Sequence, residues 1–439
     1  MRTTRPRVVI VGAGFGGLRA ARALAKAPVD VLLLDKNNYH LFQPLLYQVA
    51  VAALTPSEIA YPVRSILRKQ RNLEFRVVTV TGFDLTRRAV ITSGGEIPYD
   101  YLIVASGAAT NFFGLTDVEK NGFDLKDLPR ALRLRNHLMR CFEGAIATLD
   151  PVKRRALLTI AVVGGGPTGV EVAGAVSELL RRVLTRDYRA IPQGEIQVVL
   201  LEAGARVLAT MPDSLSLAAA KSLTGLGVDV RFGAIVSAYD GTTVTLKDGR
   251  TLAAKTLVWA AGVVASPLTK AAGVPLHRSG RILVEPTLTI ARHPDVYAIG
   301  DSAYLETAGG PVPMLAPPAM QMGTCAARNV LHRLDGSPLE AFRYKDPGTM
   351  ATIGRSAAVA VLGGFKFRGL LAWLIWLFVH LVQLIGFRNK LVVLVDWAWQ
   401  YLFYRPSSAL IVGESEPTPL PSDDSTLQYK VLDRSHERT

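Results

Sequence analysis

The sequence predicts an α/β fold with two doubly wound parallel sheets, and three observations lead to this prediction. A strand-like run at residues 8–11 passes into a glycine turn and then into alanine and leucine at helical spacing. The same pattern returns at residues 158–180. A third strand-like run, at residues 293–303, ends in a Gly-Asp turn. Strand, glycine turn and helix in this order are typical of the βαβ units of parallel sheets.

The first unit carries a complete G-x-G-x-x-G pattern at Gly12, Gly14 and Gly17. In such a loop the first glycine permits a tight turn, the second lets the backbone approach a pyrophosphate, and the third lets the helix pack on the strand. Asp35 ends the next strand, 23 residues after Gly12, where it can accept a hydrogen bond from a ribose hydroxyl. The combination predicts dinucleotide binding, and the alternative is a glycine-rich turn without a ligand.

The second unit repeats the pattern at Gly164, Gly166 and Gly169, with Glu202 as the acidic partner. Glu202 follows Gly164 by 38 residues, more than the usual spacing of about 20. A carboxylate at this position favours a free ribose 2′-hydroxyl and repels a 2′-phosphate, which predicts NADH over NADPH. Arg206 would weaken that preference if it reached the ribose, and otherwise it is an ordinary surface arginine.

Two complete fingerprints in one chain imply two dinucleotides. The economical pair is a tightly held flavin and an exchangeable nicotinamide cofactor, with a hydride passing between them.

Composition limits the remaining classes. The 439 residues are 49% apolar and 20% charged, with a net charge of +14 and a mean hydropathy of +0.25. A disordered chain and a fibrous repeat are excluded, and at about 150 residues per domain the length suggests two to three domains. Two cysteines cannot build a disulfide framework or a four-ligand zinc site, and the seven histidines form no ligand pattern. We therefore predict no metal.

The basic residues predict a charged surface without a nucleic-acid module. They form scattered groups at residues 64–71, 130–140 and 181–189, and none interleaves aromatic residues in a recognised module. We predict no nucleic-acid partner. A non-catalytic flavin sensor or nucleic-acid binder is the least supported of the functional hypotheses. The N-terminus shows no secretory signal, which favours folding in a reducing cytosol.

An apolar segment near the C-terminus predicts contact with a membrane. Residues 369–387 carry no charge over 19 positions, and as a helix they would extend about 28 Å, close to a hydrocarbon core of about 30 Å. A second helix is predicted from residue 391 to 404. Four of the five tryptophans fall between positions 373 and 399, as in an interfacial belt. The chain lacks a series of intramembrane ionisable groups, so proton pumping is not expected.

Three arrangements of this segment compete. One helix crosses the membrane, or both helices lie in one leaflet as a monotopic anchor, or the pair is a buried core hairpin. His380 and Gln383 share a helical face with Trp376 and Ala372. That face favours a shallow or protein-packed helix, and hence the anchor. The following residues, 413–439, are rich in serine, proline, threonine and acidic residues and predict a disordered tail.

At these residues the chain resembles the two-dinucleotide-binding-domain flavoproteins, and among them the type II NADH dehydrogenases (NADH:quinone oxidoreductases). The resemblance extends over residues 7–412. Besides the first fingerprint it rests on YHLFQPLLYQVA at 39–50, VASGA at 104–108, GGGPTGVE at 164–171, VWAAGV at 258–263 and AIGD at 298–301.

The resemblance implies an architecture, a reaction and a location. It implies a discontinuous FAD-binding domain at residues 1–118 and 278–345, an inserted NADH-binding domain at 155–277, and a membrane-anchor region at 346–412. The enzyme would pass a hydride from NADH to FAD and then two electrons to a membrane quinone of the respiratory chain. It would be a homodimer bound peripherally to the bilayer surface, on the cytoplasmic face of the inner (plasma) membrane.

The resemblance also assigns roles to single residues. Asp35 would hold the adenosine ribose of FAD, and Asp301 its ribityl or phosphate region. Glu171 would lie beside the nicotinamide, where it orients the ring or relays a proton. Its other interpretation is a carboxylate that complements a helix dipole. The implied cofactor contacts are Gly12, Gly14, Gly16, Gly17, Asp35, Lys36, Ala105, Gly107, Gly164, Gly166, Gly169, Glu202, Gly262, Gly300, Asp301 and Gln321.

The quinone side departs from the family pattern at one position. The family motif A-Q-x-x-x-Q reads here as residues 316–321, with Pro317 in place of the first glutamine and Gln321 as the second. Gln321 would bridge flavin and quinone, and with Glu171 it is the expected catalytic residue. Two other functions stay open, a flavin-dependent NAD(P)H reductase with a soluble acceptor and a sulfide:quinone reductase. Cys141 and Cys325 are expected to be structural.

Overall fold

The computed structural model describes residues 5–184, 187–403 and 410–411. Twelve α-helices lie among these residues. They are α1 Phe15–Ala23, α2 Leu46–Ala50, α3 Pro56–Ile59, α4 Val63–Leu67, α5 Thr116–Asn121, α6 Leu128–Ala147, α7 Pro151–Leu157, α8 Pro167–Glu178, α9 Asp213–Gly225, α10 Ala316–Asp335, α11 Gly369–Gln383 and α12 Phe387–Phe403. The predicted tail at 413–439 lies outside the described residues.

The strands of the same residues alternate with these helices along most of the chain. Those of the first half are β1 Arg7–Val11, β2 Asp30–Asp35, β3 Tyr39–Leu41, β4 Ala60–Pro62, β5 Leu73–Val77, β6 Val80–Asp84, β7 Ala89–Thr92, β8 Gly95–Pro98, β9 Tyr101–Val104, β10 Ala108–Thr110, β11 Phe123–Asp124, β12 Thr159–Val163, β13 Gln197–Leu201 and β14 Val228–Arg231. Those of the second half are β15 Val236–Tyr239, β16 Thr243–Leu246, β17 Thr251–Ala253, β18 Thr256–Trp259, β19 Val263–Ala265, β20 Ile282–Leu283, β21 Thr289–Ile290, β22 His293–Ala298, β23 Ala303–Tyr304, β24 Glu306–Thr307, β25 Gly310–Pro311, β26 Thr349–Gly354, β27 Ala357–Leu362 and β28 Phe365–Arg368.

The first sheet is built from both ends of the chain. Its six strands run in the order β21-β22-β9-β1-β2-β5, parallel except at β21. The central strands are apolar on both faces because both are covered. One face packs on α1 and α10, and the other packs on the antiparallel sheet of β6, β7 and β8. Both the predicted strand at residues 8–11 and the predicted strand before the Gly-Asp turn are confirmed.

The second sheet is entirely parallel, and its strands fall in the sequence between β9 and β21 of the first sheet, as the predicted two-domain α/β layout requires. Its five strands run in the order β11-β18-β12-β13-β14. Residues 119–154, which the predicted boundaries leave unassigned, supply β11 and α6. Strands β15, β16 and β17 form a separate antiparallel sheet. The domain boundaries themselves stay a prediction.

Close packing joins the two helices that border the first glycine loop. A Cβ at Gly323 of α10 would overlap the carbonyl oxygen of Gly16 in α1, so the two backbones touch. The helix that carries Gln321 is therefore fixed directly against the first fingerprint.

The C-terminal region differs from the prediction in where its helices end. The uncharged run at 369–387 is not one helix, because α11 ends at Gln383 and the chain turns at Gly386, whose φ of +89° suits glycine. The second helix, α12, begins at Phe387, four residues before the predicted start. Of the helices in the described part of the chain, none is long and apolar enough to cross a bilayer.

One face of the resulting helical pair belongs to the protein core. Ala372 and Trp376 of α11 are fully buried, and Leu384 and Val393 join the same apolar cluster. The protein-packed face expected from Ala372 and Trp376 is thus present. The opposite face of α11 is exposed and apolar.

Candidate functional site

The three glycines of the first loop have the three expected roles: a tight turn, close packing of helix on strand, and open space for a pyrophosphate. Gly12 has a φ of +106°, and a Cβ there would overlap the carbonyl oxygen of Ala105. A Cβ at Gly17 would overlap the carbonyl oxygen of Gly12, so helix and strand are in direct contact. Around Gly14, by contrast, an added Cβ meets no atom of the protein within 4 Å. That open space is where a pyrophosphate would approach the backbone.

Asp35 lies behind this loop and is hydrogen-bonded to it. Its Oδ2 accepts from the backbone N–H of Ala13 at 2.7 Å, and its Oδ1 accepts from Asn37 N at 2.8 Å. Burial raises the pKa of the Asp35 carboxyl, and these two bonds and the neighbouring Lys36 partly oppose the rise. A carboxylate has about four acceptor positions, so it retains capacity for a ribose.

His40 is hydrogen-bonded to the same loop. Its Nδ1 donates to the carbonyl oxygen of Ala13 at 2.9 Å, and its ring packs edge-on against Phe15 with the centroids 5.1 Å apart. Burial lowers the pKa of His40, which keeps the ring neutral. His40 is not among the site residues expected from the sequence, and its contacts make it a support of the first loop.

The residues expected near the flavin come together around Ser302. The backbone N–H of Gly107 donates to Ser302 Oγ at 3.0 Å, and the hydroxyls of Ser106 and Ser302 lie 3.0 Å apart. Ser302 ends the 3₁₀ turn that contains Gly300 and Asp301. Two chain segments about 200 residues apart therefore form one wall beside the first loop. Sequence reasoning missed Ser302.

Asp301 is half-buried between two cations. Burial raises the pKa of its carboxyl, while the charges of Lys126 and Arg281 lower it. Arg281 is committed to the protein, since it donates to Ala303 O at 2.6 Å and to Val312 O at 2.8 Å. Lys126 is positioned through its backbone, where Gln43 Nε2 donates to its carbonyl oxygen at 3.0 Å.

The second glycine loop repeats the first in detail. Gly164 has a φ of +105°, and a Cβ at Gly169 would overlap the carbonyl oxygen of Gly164. Gly166, like Gly14, has no protein atom within 4 Å of an added Cβ. At the same edge of this sheet, after β18, Gly262 has a φ of +85° and lies against the ring of Phe113.

Glu202 stands behind the second loop as Asp35 stands behind the first. Its Oε2 accepts from the backbone N–H of Gly165, and its Oε1 accepts from Gly204 N at 2.6 Å. The long spacing from Gly164 is taken up mainly by α8, a π-helical turn at Leu179–Leu184 and the segment that follows it. Arg206 contacts neighbours that are close in sequence: it forms an ion pair with Asp213 and donates a hydrogen bond to Ala209 O at 2.8 Å.

Glu171 lies one turn into α8, where that helix meets β26 and α11. Its Oε1 accepts from the backbone N–H of Thr352 at 3.4 Å. Burial raises the pKa of Glu171 to about 8, and the N–H groups of Thr352 and Trp376 only partly oppose the rise. Trp376 Nε1 faces the carboxyl without completing a hydrogen bond. At neutral pH this carboxyl is mostly protonated.

A hydrogen-bonded chain that sequence reasoning missed joins Tyr47 to the C-terminal helices. Burial raises the pKa of the Tyr47 phenol, and the charge of Glu171 raises it further when that carboxyl is ionised. Gln48 Nε2 donates to Tyr47 Oη at 2.9 Å, and Trp397 Nε1 donates to Gln48 Oε1 at 2.9 Å. Tyr47 and Gln48 lie in the 39–50 stretch, which was the available signal.

Gln321 is held by the backbone of Lys345 at both ends of its amide. Nε2 donates to Lys345 O at 2.8 Å, and Oε1 accepts from Lys345 N at 3.0 Å. Pro317 is in the first turn of the same helix, α10, where a missing N–H costs nothing. The expected contacts of Gln321 with flavin and quinone stay a prediction.

The two cysteines are buried, and burial raises the pKa of each thiol to about 11. Cys141 Sγ lies 3.4 Å from His137 Nε2, and Cys325 Sγ donates to Glu340 O at 3.8 Å. Within the described residues, no three His, Cys, Asp or Glu side chains come together as a metal site.

Two sequence profiles match this chain. That of the family "Pyridine nucleotide-disulphide oxidoreductase" covers residues 6–323, and that of the "NDH2 C-terminal domain" covers residues 347–406. Two curated relatives come from Mycobacterium tuberculosis. Type II NADH:quinone oxidoreductase Ndh is 40% identical over 425 residues, which are 93% of this chain and 91% of Ndh. NdhA is 41% identical over 415 residues, 91% of this chain and 87% of NdhA.

Solved structures support the same fold. NDH2 from Plasmodium falciparum in complex with NADH superposes with a TM-score of 0.86 at 20% identity, over 92% of this chain and 99% of that chain. Sulfide:quinone oxidoreductase from Aquifex aeolicus superposes with a TM-score of 0.70 at 17% identity, over 91% of this chain and 96% of that chain.

Proposed function

The chain belongs to the type II NADH:quinone oxidoreductase family, and from that premise we propose that it oxidises NADH and reduces a membrane quinone through bound FAD. The observation that carries the proposal is the repeated arrangement of Asp35 and Glu202. Each carboxylate holds the residue after the first glycine of its loop. Two such arrangements in one chain suit two dinucleotides.

FAD would lie on the first loop. Gly14 leaves room for its pyrophosphate, Asp35 would hold its adenosine ribose, and Asp301 would face its ribityl or phosphate region. When bound, the flavin supplies a centre that takes a hydride from a nicotinamide and passes two electrons to an acceptor. Ala105, Gly107 and Gly300 form the backbone wall beside it.

NADH would bind the second loop in the same way. Gly166 leaves room for the pyrophosphate, and Glu202 would accept from the 2′-hydroxyl of the adenosine ribose. A 2′-phosphate at that place would meet the Glu202 carboxylate, and Arg206 is already paired with Asp213. The proposal therefore includes a preference for NADH over NADPH.

Glu171 would hold a proton between the two sites. With a pKa of about 8, its carboxyl is neutral at physiological pH and can donate a proton as charge develops nearby. Tyr47, Gln48 and Trp397 continue as a hydrogen-bonded chain towards α12. On the quinone side, Gln321 would contact the head group after giving up at least one of its bonds to Lys345.

Membrane association is the second part of the proposal. The outer face of α11 exposes Leu371, Leu374, Phe378 and Val382, and α12 exposes Leu391, Leu394, Val395 and Trp399. Such an apolar face on a helical pair that is fixed to the protein on its other side fits a monotopic anchor. The finer assignments, a homodimer and the cytoplasmic face of the inner (plasma) membrane, belong to the same proposal.

The two alternatives have weaker support. A sulfide:quinone reductase needs reactive cysteines, and the high pKa of both buried cysteines keeps them as unreactive thiols. A reductase with a soluble protein acceptor has no use for the exposed apolar face of α11.

Steady-state turnover tests the proposal. The FAD-loaded protein is assayed with NADH and with NADPH, each with and without a membrane quinone. We expect quinone to accelerate NADH oxidation, and NADPH to be oxidised much more slowly. Turnover that depends on a soluble protein acceptor but not on quinone would favour the second function.

A further inference from the structure

A basic recess lies where the turn between α11 and α12 meets the C-terminal end of α1. Its volume is about 400 Å³, and it is lined by Arg22, Lys390 and residues 382–386. None of the lining residues is acidic. Two cations thus share one small recess without a carboxylate among its walls.

Lys390 is fixed at this recess by a hydrogen bond, and Arg22 lines it from the end of α1. Lys390 Nζ donates to Val382 O at 2.6 Å, which uses one of its three N–H groups. Arg22 stands in the last turn of α1. Within the described residues, no carboxylate pairs with Arg22 or with Lys390. Burial lowers the pKa of Arg22, and the charge of the neighbouring Arg19 lowers it further, so an anion here would relieve repulsion.

The recess opens at the end of the exposed apolar face of α11. Val382 belongs to both, since it lines the recess and is 53% exposed beside Phe378. Gln383, next in the chain, lines the recess and adds an amide that can donate to an anion. A ligand that suits this arrangement has an anionic oxygen-rich group next to a hydrocarbon part.

We propose that this recess binds the phosphate of an anionic phospholipid headgroup, with the acyl chains lying over Val382 and Phe378. The shared chemistry is a phosphate, and a free phosphate could also supply it. The apolar face beside the recess favours the lipid, since basic pockets at the membrane boundary bind such headgroups. The inference rests on the membrane part of the proposed function.

Cosedimentation with vesicles tests the assignment. The full-length, FAD-loaded protein is mixed with vesicles of phosphatidylcholine alone and with equimolar phosphatidylcholine and phosphatidylglycerol. The double variant R22Q/K390Q is compared with R388Q, because Arg388, in the first turn of α12, is exposed like Arg22 but does not line the recess. The conservative variant R22K keeps the charge. NADH oxidation with a soluble acceptor and the flavin content verify that each variant is folded.

For R22Q/K390Q we expect binding to the anionic vesicles to fall about tenfold or more, because each basic residue near a membrane contributes about 1 kcal/mol. R388Q should lose about twofold at most, since its charge lies outside the recess and acts only through the salt-screened surface potential. R22K should retain most of the binding, and binding to phosphatidylcholine alone should be unchanged.

Three results would overturn the inference. Equal losses in R388Q and R22Q/K390Q would reduce the effect to general surface charge. Calorimetric titration that finds inorganic phosphate bound as tightly as the anionic vesicles would make the recess a free-phosphate site. Failure of the unmodified protein to bind either vesicle would contradict the membrane part of the proposed function as well, which distinguishes the two failures.

Discussion

Asp35 Oδ2 accepts a hydrogen bond from the backbone N–H of Ala13 at 2.7 Å, so the acid that would hold a ribose also fixes the loop that would hold a pyrophosphate. Glu202 makes the same contact with Gly165 in the second sheet. The two sites therefore share one arrangement of loop and acid. Because each site uses its own loop and its own acid, a mutation can affect one site without the other.

Gly14→Ala and Gly166→Ala form a matched pair. Both residues have negative φ values, near −70°, and meet no protein atom with an added Cβ, so neither variant should unfold. We expect Gly14→Ala to lose most of the flavin with an unchanged apoprotein Tm. Gly166→Ala should keep its flavin and raise KM for NADH about tenfold or more, as for a loss of roughly 1.4 kcal/mol or more of binding free energy. Flavin content and steady-state kinetics measure both, and full flavin in Gly14→Ala would contradict the first assignment.

Glu202→Gln removes the charge that would repel a 2′-phosphate. We expect the ratio of kcat/KM for NADH to that for NADPH to fall about tenfold or more, because hydrogen bonds to a charged group contribute about 1.5–3 kcal/mol. The flavin content should not change, since Asp35 is intact. A ratio equal to that of the unmodified enzyme would remove Glu202 from the ribose site.

Glu171 should make stability fall as pH rises through about 8. Its folded pKa is raised by burial from an ordinary value of 4.5 to about 8. The neutral form is therefore favoured by folding, and its contribution is full below the unfolded pKa and lost as pH rises through the folded one. We expect Tm to drop by roughly 3–4 °C between about pH 5 and pH 8, the window between the unfolded and folded pKa values, and by less than half of that in Glu171→Gln. An identical drop in both proteins would show that Glu171 does not titrate there.

Glu58 should make the packing of α12 against the protein depend on pH. Burial, and then the neighbouring Asp396 of α12, raise its pKa to about 7. Asn389 Nδ2 fixes α12 nearby through bonds to Ser57 O at 3.0 Å and Glu58 O at 3.1 Å. Deprotonation above about pH 7 places two negative charges side by side, so the contact weakens as pH rises. Hydrogen exchange of residues 387–403 should show protection that is greater at pH 6 than at pH 8, and Glu58→Gln should abolish the difference.

The exposed face of α11 should carry the membrane affinity. Replacing both Leu374 and Phe378 by glutamate removes two apolar contacts worth about 1.5–3 kcal/mol each, which predicts at least about a hundredfold loss of vesicle binding. Leu149→Glu is the matched control, because Leu149 is 92% exposed and lies outside the C-terminal helices. NADH oxidation with a soluble acceptor should survive in both. Unchanged vesicle binding in the double variant would contradict the anchor.

Point variants on the exposed face of α11 test the anchor better than deletion of the whole C-terminal region. Trp376 and Ala372 belong to the core cluster, so truncation from residue 366 would uncover buried apolar surface and destabilise the protein for unrelated reasons.

The glycine loops and their acids follow from sequence because the chemistry is local. A glycine turn after a β-branched strand, and an acid at the end of the next strand, are fixed by the βαβ geometry itself. The supports of the site are not local. His40 reaches Ala13 across 27 positions, Gly107 reaches Ser302 across 195, and Gln48 reaches Trp397 across 349. No periodicity or spacing encodes such contacts.

The C-terminal helices show a second limit. The absence of charge over residues 369–387 indicates apolar surroundings, but it does not indicate one continuous helix. The turn at Gly386 lies within this uncharged run and leaves no break in its apolar pattern. Just beyond this turn, Asn389 is 4% exposed and donates to the backbone of α3. Packing against another element, not amphipathicity, decides its environment.

Anaerobic mixing tests the central claim most directly, because it follows the bound flavin in each half of the reaction. The FAD-loaded protein is mixed with NADH and then with a membrane quinone while the visible flavin absorbance is recorded. The account predicts bleaching on addition of NADH, much slower bleaching with NADPH, and full recovery on addition of quinone. A flavin that NADH does not bleach, or that quinone does not restore, would contradict it.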